Sequence, residues 1–248
     1  MITIFSETEA KKAITDIIAN TSDIKDPMNF ARSIVKINAI KKVNDTIRAC
    51  DDCKIGAPVK TIGYGNPNAS VMIICDYPID QQIKLNKECV VPFEGTKYFD
   101  SFEMMFRQLG INKDEIFWMN SMQCYPKLNG IYRCPYSYEI EKCSVYMKYM
   151  IDVIHPSMII LLGSVALSCF KKVPMNDIHG TWIDAFTIPA MPTYSPSYID
   201  QLEKLDYDPD KIKYLKNAMC KDITTAFEYL QKKYPYNNVT NKEGVIQI

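Results

Sequence analysis

The chain has 248 residues, 47% of them hydrophobic and 23% charged, and its 29 basic residues balance 29 acidic ones. This length supports one full hydrophobic core with a small appendage, and the composition is that of an ordinary globular protein, not a disordered or fibrous one. Zero net charge leaves room for a local basic face, but it fits weak, scanning or partner-assisted contact with nucleic acid better than a tight nonspecific grip, which draws on an excess of Lys and Arg.

Residues 7–20 read as a helix, with Ser6 as N-cap and Ala10, Ile14, Ile17 and Ile18 on one face. A second helix is predicted over 27–48, with Pro27 in its first turn and Phe30, Ile34, Ile37 and Ile40 apolar. From residue 71 onward, strands and helices alternate. Strands are expected at 71–75, 116–120, 158–162 and 186–191, and helices at 99–109, 138–154, 164–172 and 209–233. Gly110 closes the first of these helices, and the second ends before His155-Pro156. Such alternation predicts an α/β fold, a three-layer α/β/α sandwich around a central, mainly parallel four-stranded sheet. In sheets of this kind functional groups gather at the carboxyl ends of the strands, and Asp76, Asn120, Gly163 and Ser195 all fall at or just past such an end. The expected division is an N-terminal helical extension at 1–49, a main domain at 50–234 and a polar tail at 235–248.

The longest apolar stretch, 158–162, is far too short to span a bilayer, so no membrane partner is expected. The N-terminus shows neither a basic n-region nor a cleavable apolar segment, so no secretion signal is expected. Nine cysteines are an odd number and form no disulfide framework, which points to the reducing cytoplasm and to metal binding ahead of disulfides. Cys75, Cys169 and Cys220 lie in apolar surroundings and read as small buried hydrophobes. The chain is rich in Ile, Lys, Asn and Tyr, a composition compatible with an AT-rich genome such as a virus, in which case the compartment is the host cytoplasm.

Four other cysteines carry more information. The pair Cys50-Asp51-Asp52-Cys53 puts two thiolates within reach of one iron or zinc, and Cys124 and Cys143 complete a four-thiolate set from a distant part of the chain. Cys134 lies between these last two and competes as a ligand.

The text around these cysteines resembles the uracil-DNA glycosylase superfamily, most closely its iron–sulfur branch, often called family 4. The matching pieces come in the family's order. They are Gly63 to Ala69; Cys75-Asp76-Tyr77-Pro78, where the family usually has Gly-Glu-Ala-Pro; Pro92-Phe93-Glu94-Gly95, for its Pro-Phe-Val-Gly; and Asn120 to Pro126. They continue with Glu139 and Cys143 for its Glu-x-x-x-Cys, with His155 to Ala166, and with Met191 to Ser197, where it reads Pro-Thr-x-His-Pro-Ser. Together they cover roughly residues 50–230.

The resemblance implies excision of uracil from DNA by hydrolysis of the N-glycosidic bond, with the base flipped out of the stack. It implies that Phe93 stacks on the base and that the Asn120 amide, which offers both a donor and an acceptor, reads its edge. It gives Asp76 the water-orienting carboxylate role, with Asp80 as a reserve on the same loop, and sets bulky Tyr77 beside the base. Ser195 stands where the family places a His that donates to the uracil O2, and serine donates one hydrogen bond without becoming cationic. His179 is the other candidate to enter the site, whereas His155 reads as a turn residue. Tyr198 and Ile199 stand as the wedge that fills the hole left by a flipped base. The four cysteines would hold a structural 4Fe-4S cluster, with zinc as the alternative. The implied partner is DNA, single- or double-stranded, containing uracil. The roughly 45 residues ahead of the first cysteine are extra, and read either as a helical cap or as a docking arm for a replication or repair protein. The changed catalytic positions leave an alternative, a catalytically reduced member that binds DNA or such a partner.

Overall fold

A computed structural model describes residues 26–55, 60–78, 97–112, 116–128 and 131–233, together with Lys12 and Thr15. The predicted helix at 7–20 and the tail at 235–248 therefore lie outside the described residues, apart from Lys12 and Thr15.

The first described element is α1, Pro27–Ala49, whose N-cap Asp26 accepts the Asn29 N–H at 3.1 Å. It is followed by β1 (Tyr64–Gly65), β2 (Val71–Cys75), α2 (Lys97–Gln108) and β3 (Ile116–Asn120). A short hairpin, β4 (Lys127–Leu128) with β5 (Ile131–Tyr132), leads into α3 (Ser137–Ile154). Next come β6 (Met158–Leu162), α4 (Ser164–Ser168), β7 (Ile183–Ala185), β8 (Ile188–Thr193), α5 (Pro196–Lys204) and α6 (Pro209–Lys233).

The main sheet runs β1-β3-β2-β6-β8-β7. Its central four strands are parallel, and β1 and β7 add short antiparallel edges. The sandwich forms as the alternation predicts, with two edge strands more than the four expected. All five residues of β2, of β3 and of β6 are buried, because helices cover both faces of the sheet. Val71, Ile73 and Cys75 meet Phe102 and Phe106 of α2 and Ile223 and Phe227 of α6 in one core cluster. Met72 and Ile74, on the opposite face, join Val43 and Ile47 of α1 and Met147 and Met150 of α3 in the other. At roughly 1.5–3 kcal/mol for each large apolar side chain buried, these two clusters dominate the fold's stability.

The first described helix is built into the second cluster. Besides Val43 and Ile47, it offers Asn44, whose amide exchanges two hydrogen bonds with the Gly63 backbone at 2.9 and 3.1 Å. Lys36 Nζ donates to the Ile154 carbonyl at 2.8 Å, closing the C-terminus of α3. Met28, Phe30 and Ile37 remain exposed on its outer side.

Several expectations need adjustment. The helix predicted over 164–172 stops at Ser168 and continues as a turn. The strand predicted at 186–191 runs from Ile188 to Thr193, with β7 ahead of it. Cys220 is exposed on α6, not buried, while Cys75 is buried as expected. His155 is the C-cap of α3 at φ 54°, ψ 54°, which agrees with its reading as a turn residue. Among the described residues no helix is long and apolar enough to cross a membrane.

Candidate functional site

Strand register brings the candidate residues to one edge. Cys75 pairs with Asn120 on one side and with Leu162 on the other, and Leu162 pairs with Thr193. Asp76, Asn120, Gly163 and Ser195 therefore gather at the carboxyl ends of β2, β3, β6 and β8.

Asp76 is held by the start of α4. Its Oδ1 accepts the Val165 and Ala166 N–H groups at 2.8 and 2.9 Å. Gly163 has a φ of 111°, which favours glycine, and a Cβ there would lie 2.1 Å from Asp76 Oδ2. Burial pushes the Asp76 pKa up to about 7 against the downward pull of those two N–H bonds. The loop beyond is fastened by Ser121, whose hydroxyl donates to the Asp76 carbonyl at 2.6 Å.

Asn120 is 2% exposed. Its Nδ2 donates to Thr61 Oγ1 at 3.0 Å, while its Oδ1 has no hydrogen-bond partner among the described residues. A buried acceptor left open costs about 1–3 kcal/mol, a penalty a folded protein rarely retains without a use for the atom.

Ser195 is buried at the N-terminus of α5, and its Oγ shares a 2.6 Å hydrogen bond with Ser197 Oγ. Tyr77 is half-buried against Tyr125, ring centroids 5.6 Å apart, with Cys134 close to its hydroxyl. Burial first, then the neighbouring Cys134 and Asp76, hold the Tyr77 pKa above its ordinary value. Phe93 and Asp80 lie outside the described residues.

Two expectations are overturned here. Tyr198 is exposed and free to project, but Ile199 has no exposure and packs in the core cluster with α6. Its N–H bonds the Ser195 carbonyl, so α5 has begun and turns residue 199 inward; it is unavailable as a wedge. Cys134 is exposed, lies close to Tyr77, and is not among the residues that line the cavity of the other four cysteines.

Sequence reasoning assigned His179 no partners, and the structure gives it two. Its Nδ1 lies 3.0 Å from Asp222 Oδ2 and its Nε2 3.3 Å from the Tyr214 hydroxyl. Thr193 Oγ1 donates to the same Asp222 oxygen at 2.7 Å. Both ring nitrogens are therefore engaged on the α6 side of the sheet. Asp222 carried no signal in the sequence, since one carboxylate on a long polar helix looks like a solvated one.

Cys50, Cys53, Cys124 and Cys143 line one cavity together with Ile55, Met122 and Tyr146. The Tyr146 hydroxyl meets the Cys50 sulfur, and the Gln123 N–H donates to Cys143 Sγ at 3.3 Å. Lys60 Nζ donates to the carbonyls of Arg48 and Cys50, and Lys142 Nζ to that of Asp52 at 3.0 Å, tying the cysteine pair to the core. Burial, with each thiolate's charge felt by the others, pushes the Cys124 thiol up to about 11 and raises Cys143 further. A cationic centre relieves that mutual repulsion and binds the thiolates. Among the described residues no three His, Cys, Asp or Glu side chains converge on a single point at metal-ligand distance.

Known proteins share this arrangement's sequence. The family model for the uracil DNA glycosylase superfamily matches residues 62–219, from just before β1 into α6, a range that includes Asp76, Asn120, Gly163 and Ser195. The chain belongs to the uracil-DNA glycosylase superfamily. It is similar to the type-4 uracil-DNA glycosylase of Thermotoga maritima, 25% identical over 197 residues that make up 77% of this chain and 94% of that protein. It is likewise similar to that of Saccharolobus solfataricus, 31% identical over 167 residues, 62% of this chain and 74% of that protein. The type-4 enzyme of Sulfurisphaera tokodaii is 29% identical over 129 residues. As a superfamily member the chain keeps the fold.

Proposed function

We propose that the chain excises uracil from DNA by hydrolysing the N-glycosidic bond. The observation that carries the reading is the open, buried Oδ1 of Asn120 beside Asp76. In this reading Oδ1 accepts the uracil N3–H, and uracil's O4 takes a donor from the same amide in place of Thr61. The deprotonated Asp76 offsets the positive charge that develops on the sugar and orients the attacking water. The Ser195 hydroxyl donates to the uracil O2; Ser197, as donor to Ser195 Oγ, leaves that proton free. Phe93 stacks on the base, Tyr77 lies beside it, and Tyr198 alone serves as the wedge. The supports for this reading are the strand-end convergence, the family membership and the type-4 relatives.

The cysteine cavity fits a bound group. A single zinc ion, with Zn–S bonds of about 2.3 Å, draws its sulfurs to within about 4 Å of one another. The four thiols line one cavity, and in this reading they hold a 4Fe-4S cluster, with zinc as the alternative. When bound, it would serve as a structural pin between residues 50–53 and the β3–α3 segment, at a distance from the bond being broken. Residues 50–234 form the glycosylase-like unit, with 1–49 as an extension through which a replication or repair protein could dock.

One observation favours a second reading, a member with reduced catalysis that acts by binding DNA. Ser195 replaces the family's His and is already paired with Ser197. Incubating excess protein with uracil-containing single- and double-stranded oligonucleotides, followed by alkaline cleavage, separates the two. Strand breakage at the uracil, lost in Asn120→Ala, supports excision. No product from cluster-loaded protein moves the second reading to first place.

A further inference from the structure

Near the strand-end site the chain leaves large aromatic rings in water. Tyr136, the N-cap of α3, is 46% exposed, and Tyr138, two residues on, is 50% exposed. The two rings stack on each other, centroids 5.9 Å apart and planes 20° from parallel. The Arg133 guanidinium lies over the Tyr136 ring, 3.8 Å from its centroid.

This stack is rigidly mounted. Glu139 is buried, takes Arg133 in a two-pronged bond at 2.6 and 2.8 Å, and accepts the Tyr136 N–H at 2.7 Å. Burial pushes the Glu139 pKa up, but Arg133, the Tyr136 N–H and the Tyr138 hydroxyl outweigh it, so the carboxylate is held charged. Three other exposed aromatic rings are already occupied: Trp182 by Tyr229, Phe186 by Phe170 and Tyr214 by His179. The platform also adjoins the candidate site. Cys134, two residues before Tyr136, lies close to the Tyr77 hydroxyl, and Tyr77 packs on Tyr125. Tyr77 and Tyr125 thus lie close to the segment that leads into α3.

We propose that the Tyr138 ring, backed by Tyr136, forms a stacking platform for unpaired bases of the DNA strand that flanks the excised nucleotide, favouring single-stranded over duplex DNA. This deepens the glycosylase reading and rests on it only in taking DNA as the partner. The charge balance supports it. A chain with 29 cations and 29 anions gains little from phosphate neutralisation, and the cation at this spot is already spent on Glu139. Ring stacking on bases supplies affinity without charge and without sequence preference.

The test uses uracil-free DNA, so its outcome is independent of excision. Affinity of the full chain for oligo-dT and for a blunt duplex is measured by fluorescence anisotropy across a range of salt. Tyr138→Ala should weaken oligo-dT binding about tenfold at every salt concentration, within the range of losing one base stack. The slope of log affinity against log salt should stay unchanged, and duplex binding should shift less than about twofold. Tyr136→Phe and Tyr138→Phe should bind as the parent does, because a phenyl ring stacks equally well. Tyr207→Ala, an exposed tyrosine elsewhere, serves as the control. Unchanged oligo-dT affinity in Tyr138→Ala overturns the proposal. So does an equal loss in the Phe variants, which assigns the contact to the hydroxyl. A fall in the salt slope overturns it too, by assigning the contact to phosphate.

Discussion

The cysteine cavity and the strand-end site lie at opposite ends of the Asn120–Cys124 segment and follow opposite rules. Around the cavity the polar groups are paired: Lys60 and Lys142 donate to the backbone of residues 48–52, and Gln123 donates to Cys143. At the strand ends groups are left open or strained: Asn120 Oδ1 has no partner among the described residues, and burial opposes the Asp76 charge. The first pattern holds a fold together, and the second keeps polar groups ready for a ligand. The first set of contacts fastens distant segments together, and the second leaves an acceptor and a carboxylate facing the strand ends.

Removing a donor from the cavity should show how far that contrast goes. Cys143→Ser should abolish the visible absorbance of anaerobically purified protein and lower its melting temperature by roughly 10 °C. That fall corresponds to about 3 kcal/mol in a chain of this size. A variant that melts as the parent does while colourless would place the pin elsewhere.

The strand-end site should behave in the opposite way. Asn120→Ala should cut single-turnover excision by about 100- to 1,000-fold, as loss of a positioned donor or acceptor does. Its melting temperature should fall little, because the substitution also removes an unpartnered buried oxygen. A large loss of stability with excision retained would reverse the assignment.

The pH profile sharpens the role of Asp76. With its pKa near 7 in the folded state and near 4 unfolded, the folded chain holds a proton that the unfolded chain releases. Stability from this group is present below pH 4 and is lost as pH rises towards 7, whereas excision that needs the carboxylate rises through the same window. Asp76→Asn should flatten both profiles, read by melting temperature and by single-turnover rate between pH 5 and pH 9.

The smallest effect tests the mounting of that carboxylate. Gly163→Ala introduces a left-handed backbone cost together with a Cβ contact on Asp76, and should destabilise by about 2 kcal/mol. Excision should fall as Asp76 is pushed aside. A denaturant melt paired with the rate assay checks both, and stability lost without a change in rate would leave Asp76 out of the chemistry.

Much of the architecture was legible because the parallel strands are buried on both faces. The runs Val71–Cys75, Ile116–Asn120 and Met158–Leu162 are therefore continuous apolar text, and they form at the expected residues. The edges were not legible. Tyr64–Gly65 and Ile183–Ala185 are two and three residues long, too short to show an alternation. The helix at Pro196–Lys204 was hidden behind motif text that read as a loop, and that omission led to the misreading of Ile199. Once residue 196 opens a helix, neighbours 198 and 199 stand about 100° apart, one towards solvent and one towards α6. Asp76 and Asn120 were legible from their positions at strand ends. The Asp222–His179–Tyr214 chain was not, because its members lie up to 43 residues apart and only the packing of α6 against β8 joins them.

The closeness of Asp76 to Gly163 couples the two positions. The carboxylate that bonds the first turn of α4 leaves no room for a side chain at residue 163. A glutamate at residue 76 adds one methylene beside the same backbone and has to be accompanied by movement of the turn. Neither position can therefore be enlarged alone without displacing the other.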